Sequence, residues 1–435
     1  MSKYKLTCKV CGYEVADFSS WFSLNQVCPK CGSKHVEANY TSNYNELPTL
    51  LKETPKSFWH YFDFLPLINP IYKVSLGEGA IPIENWDFLS QYAKEKYNID
   101  CTTFVYRNDL NGGTQSFKDV AAALAASVLS ENGVKQYCLA STGNAATAFS
   151  KYLSLAGINV SVFVPQTMSL DSEIEMRAYG QQVIRVKGNY AYAKQMAAEY
   201  SQNNKILLSA GNIDPMRIEA KKTMVFEFLR QLGKIPEVYI QAVAGGTGPL
   251  AIDKGIREIA PYFNGLKNPR MLLIQQDLCD PMVQAWETAK SKGFPKGFQK
   301  EYPIIENPST SVSILSTGNP GMYPLLAPLV KNSEGDFLRV KENQLGALAK
   351  IVAFEKKVLL GPASLVCMLG FFQALKNGAI KNGESVLINT GEGANRSTDF
   401  VRSLMPMNAL TANVADCHPH QISDLRKQLW ENLDV

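Results

Sequence analysis

The sequence predicts an α/β protein with two three-layer αβα lobes and a small N-terminal cysteine ribbon. Three observations predict it. Short apolar runs at 160–164, 183–186, 205–208, 238–243 and 271–274 alternate with helical windows, the pattern of parallel sheets covered on both faces. The chain has 435 residues, 46% of them hydrophobic, enough to bury a full core in two lobes. Two CxxC pairs stand ahead of these elements.

The ribbon comes first, over residues 1–42. Cys8-Lys9-Val10-Cys11 and Cys28-Pro29-Lys30-Cys31 are spaced as in a tetrathiolate zinc ribbon, and Gly12 and Gly32 follow as tight-turn residues. Four thiolates saturate a tetrahedral zinc, so the expected role is structural. Disulfides are the competing use of these cysteines. No apolar run long enough for a signal peptide precedes Cys8, and nothing approaches a membrane span, which favours a reducing, cytoplasmic setting. Cys101, Cys138, Cys279, Cys367 and Cys417 show no metal spacing and read as small buried hydrophobes. A formal charge of +4 without a polybasic block demands neither nucleic acid nor membrane as a partner, and leaves anionic small molecules compatible. Residues 43–56 form a polar, proline-containing connector to the body.

In the body, Ser116-Phe117-Lys118-Asp119 places a lysine where a loop becomes a helix over 120–129. The positive end of a helix dipole favours the neutral amine, the form that attacks an aldehyde. A single lysine there is more often a solvated one, so the motif takes its meaning from three elements downstream. Ser141-Thr142-Gly143-Asn144 joins an apolar run, 136–140, to a second helix, 146–156. Such a junction offers hydroxyls and N–H groups to a carboxylate or phosphate, or is an ordinary N-cap. Gly245-Gly246-Thr247-Gly248 follows the run 238–243 and precedes a helix over 250–259. Its glycines let main-chain N–H groups converge on a phosphate, and it has neither a P-loop ending nor dinucleotide spacing. Thr390 ends the apolar run of Val386-Leu387-Ile388-Asn389, at the edge where ligands of open α/β sheets bind, or it merely caps the turn. Asn212, Arg217, Lys221 and Lys222 could approach a substrate phosphate, but charges at helical spacing read first as a wet face and stay outside the expected site.

Lysine, carboxylate loop, phosphate cup and late hydroxyl, in that order, resemble the fold-type II enzymes of pyridoxal 5'-phosphate (PLP), the tryptophan synthase β superfamily, and within it the threonine synthase family. Val74-Ser75-Leu76-Gly77-Glu78-Gly79-Ala80-Ile81-Pro82 is similar to that family's N-terminal signature, and the resemblance runs from about Lys73 to Arg396. It implies a lyase that takes O-phosphohomoserine to threonine and phosphate in amino-acid biosynthesis. It also implies that Lys118 forms the Schiff base and moves protons, with Phe117 beside it. Asn144 would hold the cofactor's O3', and Ser141, Thr142, Gly143 and Asn144 would bind substrate. Gly245, Gly246, Thr247 and Gly248 would hold the cofactor phosphate, and Thr390 would face the ring nitrogen. Some threonine synthases carry a similar ribbon, and the family is commonly dimeric. The expected domains are the ribbon at 1–42, a large lobe at 47–115 plus 186–410, a small lobe at 116–185 and a C-terminal helix at 411–435.

The chain departs from the family at three points. Asn111-Gly112-Gly113-Thr114-Gln115 replaces the usual Asn-Pro-Thr-Gly, Val120 stands for an arginine, and Ile81 stands for a threonine. Ile240-Gln241-Ala242-Val243 with Gly246-Thr247-Gly248, and Pro281-Met282 with Ala285-Trp286, resemble cysteate synthase instead. β-Replacement on phosphoserine, or deamination of serine or threonine, are therefore the alternative reactions. A nucleic-acid-binding ribbon on an inactive body is the alternative from another class. His35, His60, His418 and His420 lie outside every matched motif and leave Lys118 as the expected base.

Overall fold

A computed structural model describes residues 3–41, 43–141, 143–404 and 422–435. Among them three sheets form. In the ribbon, Tyr4–Cys8 pairs antiparallel with both Glu14–Val15 and Val36–Tyr40.

The larger body sheet runs Asp336–Val340, Arg270–Gln276, Val238–Ala242, Ser385–Asn389, Thr102–Tyr106 and Ile83–Asn85. All neighbours are parallel except the last pair. The smaller sheet is parallel, in the order Gln182–Arg185, Asn159–Val164, Gln136–Ala140 and Leu207–Leu208. Its fourth strand is shorter than the run 205–208, because Lys205 adopts φ 52° to end the helix Tyr190–Asn204. With Leu207–Leu208 in this sheet, the small lobe draws on residues beyond 185.

Two helices between the sheets position the cavity. Asp119–Glu131 is alanine-rich, and its small side chains let eleven consecutive residues, Asp119 to Leu129, be buried. It packs on Pro215–Leu232 and Asn144–Leu155. Pro215–Leu232 starts where Asp214 accepts the N–H of Met216 at 2.9 Å and proline fills the first turn, and it stops at Gly233 with φ 68°. Residues 215–229 are all buried.

The described C-terminal helix, Ile422–Glu431, lies on the body. Trp430 stacks on Tyr92 at 5.2 Å and donates to Glu355 at 3.2 Å. The earlier part of the expected C-terminal segment, with Cys417, His418 and His420, falls outside the described residues.

Candidate active site

Lys118 occupies the N-cap position of Asp119–Glu131, held by the loop before it. Asp119 accepts the N–H groups of Thr114 at 2.9 Å and Ser116 at 2.8 Å, folding the loop back over the helix start. Gly113 has φ 88°, and a Cβ there would lie 2.4 Å from the Tyr152 hydroxyl; a Cβ on Gly112 would lie 2.1 Å from the Leu76 carbonyl. The Gly112-Gly113 departure thus fits a loop pressed between the 74–82 segment and Tyr152. A second clamp comes from the far end of the chain: Phe117 N–H donates to Gly391 O at 2.9 Å, and Gly393 N–H to Gln115 O at 3.1 Å.

Burial lowers the Lys118 pKa; Glu392 opposes this and Arg217 adds to it. A lysine kept toward its free amine in a cleft is a nucleophile poised for a carbonyl.

Around it the structure gathers most of the expected residues. Phe117, Ser141, Gly143 and Asn144 line the same cavity as Lys118. The Ser141 hydroxyl accepts the N–H groups of Gly143 at 3.3 Å and Ala146 at 3.2 Å, which shapes the start of Asn144–Leu155. Thr142 lies outside the described residues.

Gly245, Gly246 and Thr247 line the same cavity, while Gly248 is not part of its lining. A Cβ on Gly245 would lie 2.0 Å from Asn212 Nδ2, and one on Gly248 would lie 2.2 Å from Gln241 Oε1. Gly246 has φ 72°, so the chain turns at once and the helix Thr247–Ile259 begins inside the expected loop. Bare main chain meeting a helix N-terminus across from an amine is a cradle that fits a phosphorylated aldehyde.

Thr390 closes the floor. Its hydroxyl donates to Tyr106 O at 2.7 Å and accepts the N–H of Asn108 at 2.8 Å, so toward a ligand it offers an acceptor. Cys367 also lines the cavity, beyond its expected role as a small hydrophobe: its thiol donates to Asn389 O at 3.1 Å, and burial pushes it up to about 12.

Three charged residues join the lining beyond the expected set. Arg217 and Lys221 do not form a wet helix face: they are only 7% and 2% exposed. Arg217 donates to Ser209 Oγ at 2.9 Å, its Nε has no partner, and it forms no ion pair among the described residues. Lys221 sits 4.3 Å from the Phe117 ring centroid, and burial, with Lys118 and Arg217, drives its pKa well down. Their spacing alone reads as a wet face, and the burial of residues 215–229 is what places them inside. Glu392 is the third, hidden as one acid between two glycines; its carboxylate accepts from Asn144 Nδ2 at 3.2 Å and from Ala363 N–H at 2.9 Å. His35 and His60 do not line the cavity.

In the ribbon, one sulfur from each of Cys8, Cys11, Cys28 and Cys31 lies within 4.8 Å of all the others. Cys8–Cys31 and Cys11–Cys28 are each 3.6 Å apart and unbonded. Tetrahedral zinc with Zn–S bonds of about 2.3 Å sets sulfurs about 3.8 Å apart, so the cluster is geometrically consistent with a structural metal site. No helix of the described residues is long and apolar enough to cross a membrane.

The sequence profile of the family described as pyridoxal-phosphate dependent enzyme matches residues 74–391. Threonine synthase of Methanocaldococcus jannaschii is 28% identical over 390 residues, covering 85% of this chain and 92% of its own. Threonine synthase of Methanosarcina acetivorans is 29% identical over 395 residues, covering 89% and 91%. The fold is similar to that of the processed threonine deaminase isoform 2 of Solanum lycopersicum, with TM-score 0.59, 21% identity and coverage of 83% and 88%. It is also similar to that of a fungal L-serine ammonia-lyase from Rhizomucor miehei, with TM-score 0.60, 16% identity and coverage of 75% and 98%.

Proposed function

Because the chain belongs to the pyridoxal-phosphate dependent enzyme family, we propose that it is a threonine synthase-like carbon–oxygen lyase converting O-phosphohomoserine and water to threonine and inorganic phosphate. The observation that carries the phosphorylated substrate is the pair Arg217 and Lys221, two buried basic side chains on the wall of the Lys118 cavity that form no ion pair among the described residues; burial holds Lys221 toward its free amine, and an arriving phosphate would draw a proton onto it. A phosphate monoester supplies the charge and acceptor oxygens that such a pair lacks. The threonine synthases similar to this chain along most of its length support threonine as the product.

Lys118, Asn144, the loop Gly245 to Gly248 and Thr390 are the residues that would hold pyridoxal phosphate. When bound, the cofactor supplies an electron sink for the charge left at Cα after proton removal. Lys118 is the base placed to take that proton and to return it. The N–H groups at the start of Asn144–Leu155, with Ser141 and Gly143 shaping their approach, orient the substrate carboxylate. Arg217 and Lys221 hold the departing phosphate and so favour C–O cleavage at Cγ. The small lobe presents the lysine and carboxylate loops, and the large lobe presents the phosphate cup. A cytoplasmic homodimer is the accompanying expectation, tested by light scattering and fractionation.

Purified protein is expected to be yellow and to lose its visible band on borohydride reduction. Phosphohomoserine, phosphoserine, threonine and serine, offered singly with products identified by mass, decide the reaction. Turnover of phosphoserine alone, with an added nucleophile such as sulfite, overturns the threonine reading in favour of β-replacement. A colourless protein that binds RNA or DNA overturns the enzyme reading.

A further inference from the structure

Among the described residues lining the cavity there are three basic side chains, Lys118, Arg217 and Lys221, and one acidic one, Glu392. The chain invests heavily in holding that carboxylate. The Ser364 hydroxyl accepts the N–H groups of Gly391 and Glu392, both at 2.9 Å, and donates to Glu392 O at 2.7 Å. Ala363 N–H, in the first turn of Pro362–Lys376, meets one carboxylate oxygen, and Asn144 Nδ2 meets the other. A Cβ on Gly361 would lie 2.4 Å from Glu392 Oε1, so the socket is cut to this side chain. Asn144 belongs to the lysine side of the cleft and Glu392 to the end of the larger sheet, and their contact spans the cavity.

We propose that Glu392 is a positioning residue: it fixes the Asn144 carboxamide with its NH2 toward the cavity, and it supplies the counter-charge that lets Lys118 hold a proton among cations. The first half rests on hydrogen-bond valence. Once ionised, above about pH 7, the Glu392 carboxylate only accepts, so the amide must turn its nitrogen to it, leaving the second N–H free for a ligand oxygen. The second half rests on charge. With Arg217 and Lys221 in the same lining, an ammonium at Lys118 has Glu392 as its main negative partner and Asp119, on its own helix, as a weaker one, and Lys118 must carry a proton after taking one from substrate.

The groups around the Glu392 and Lys118 pair are Asp119 from the same helix start as Lys118, Cys367 and the helix N-terminus from Pro362–Lys376, the neutral Asn144, and Arg217 and Lys221 of Pro215–Leu232, which line the same cavity. Burial pushes the Glu392 carboxyl up to about 7, while Ala363 N–H and Lys118 pull it back.

This inference rests on the Lys118 chemistry of the proposed function and is independent of its substrate. The test is covalent capture of pyridoxal phosphate by the apoprotein, followed by absorbance across a pH series with no substrate present. Capture needs the free amine, so its midpoint reports the Lys118 proton. Glu392→Gln is expected to move that midpoint down by about one pH unit or more, while Glu392→Asp, which keeps the charge, stays near wild type. Zinc content and circular dichroism monitor folding. Equal midpoints in wild type and Glu392→Gln, or equal shifts in the Gln and Asp variants, overturn the proposal. Failure of phosphorylated amino acids to turn over leaves these midpoints unchanged as the deciding result.

Discussion

The main-chain N–H of Ala38 donates to Glu219 Oε1 at 3.1 Å, fastening the last ribbon strand to the helix whose other residues, Arg217 and Lys221, line the cavity. Lys254 Nζ donates to Ala38 O at 2.8 Å, and Tyr40 OH to Glu219 Oε2 at 2.7 Å. Glu219 also pairs with Lys222 at 2.8 Å and Lys254 at 3.2 Å, all three side chains being almost fully buried. A second tie runs from Gln26 Nε2 to Leu208 O at 2.7 Å, one residue before the Ser209 that accepts from Arg217.

Replacing Cys8 and Cys11 with serine is expected to remove about one zinc per chain. The visible cofactor band should survive, because Lys118 and the glycine loop lie in the body. Thermal stability should fall, and the KM for a phosphorylated substrate should rise through the Ala38 and Gln26 ties. Elemental analysis, a melting curve and steady-state kinetics check the three outcomes.

Glu219→Gln strips a charge from a buried network. Removing one member of a buried ion pair costs roughly 3–5 kcal/mol; Glu258, 2.7 Å from Lys222, remains as a partner and places the expected loss at the lower end. Urea denaturation of the zinc-loaded protein measures it.

Arg217→Leu and Lys221→Met should each leave the cofactor band intact. Losing one partner of a buried charged contact costs about 2–5 kcal/mol, roughly thirtyfold or more in kcat/KM for a phosphorylated amino acid. Competition by inorganic phosphate should weaken in parallel. Unchanged phosphate competition in both variants would remove these residues from the substrate site.

Gly245→Ala brings a methyl into Asn212, and Gly246→Ala forces a left-handed conformation on a side chain that also meets Leu326 at 2.2 Å. Each is expected to weaken cofactor binding by about tenfold or more, equivalent to about 1.4 kcal/mol. Cofactor retained through gel filtration is the measurement, with zinc content as the control for folding.

Burial raises the carboxyl pKa of both Asp119 and Glu392 to about 7, from ordinary values of 3.8 and 4.5. Between those limits the folded apoprotein holds protons that the unfolded chain has released, so both groups subtract from stability as pH rises through the window. Glu392→Gln removes one contribution. Relative to wild type, its urea midpoint should therefore improve from about pH 5 to pH 7.5, with a difference on the order of 3 kcal/mol at most. A constant offset between the two proteins across that range would contradict the buried acid.

The strands around 160, 238, 271 and 386 were legible because parallel strands buried on both faces are apolar runs, and the Lys118 loop because a helix begins directly after it. The four ribbon cysteines were legible from spacing alone. Arg217 and Lys221 were not: charge spacing on Pro215–Leu232 reads as a solvent face, and only the packing of Asp119–Glu131 against it shows that these charges are inside. Glu392 was not legible because its socket is built by Gly361, Ala363 and Ser364, distant in sequence. The apolar run 205–208 was legible as a strand, but its place beside Gln136–Ala140 at the edge of the smaller sheet was not, because no local pattern encodes which strands pair.

The pairing of residues 115–117 with 391–393 carries a consequence for biosynthesis. A nascent chain halted after Ile388 already contains Lys118, Arg217, Lys221 and the loop Gly245 to Gly248, yet it lacks the segment that clamps the Lys118 loop in place. Cofactor capture is therefore expected only once residues 391–393 have been made, and fragments that stop before them should emerge from the ribosome colourless.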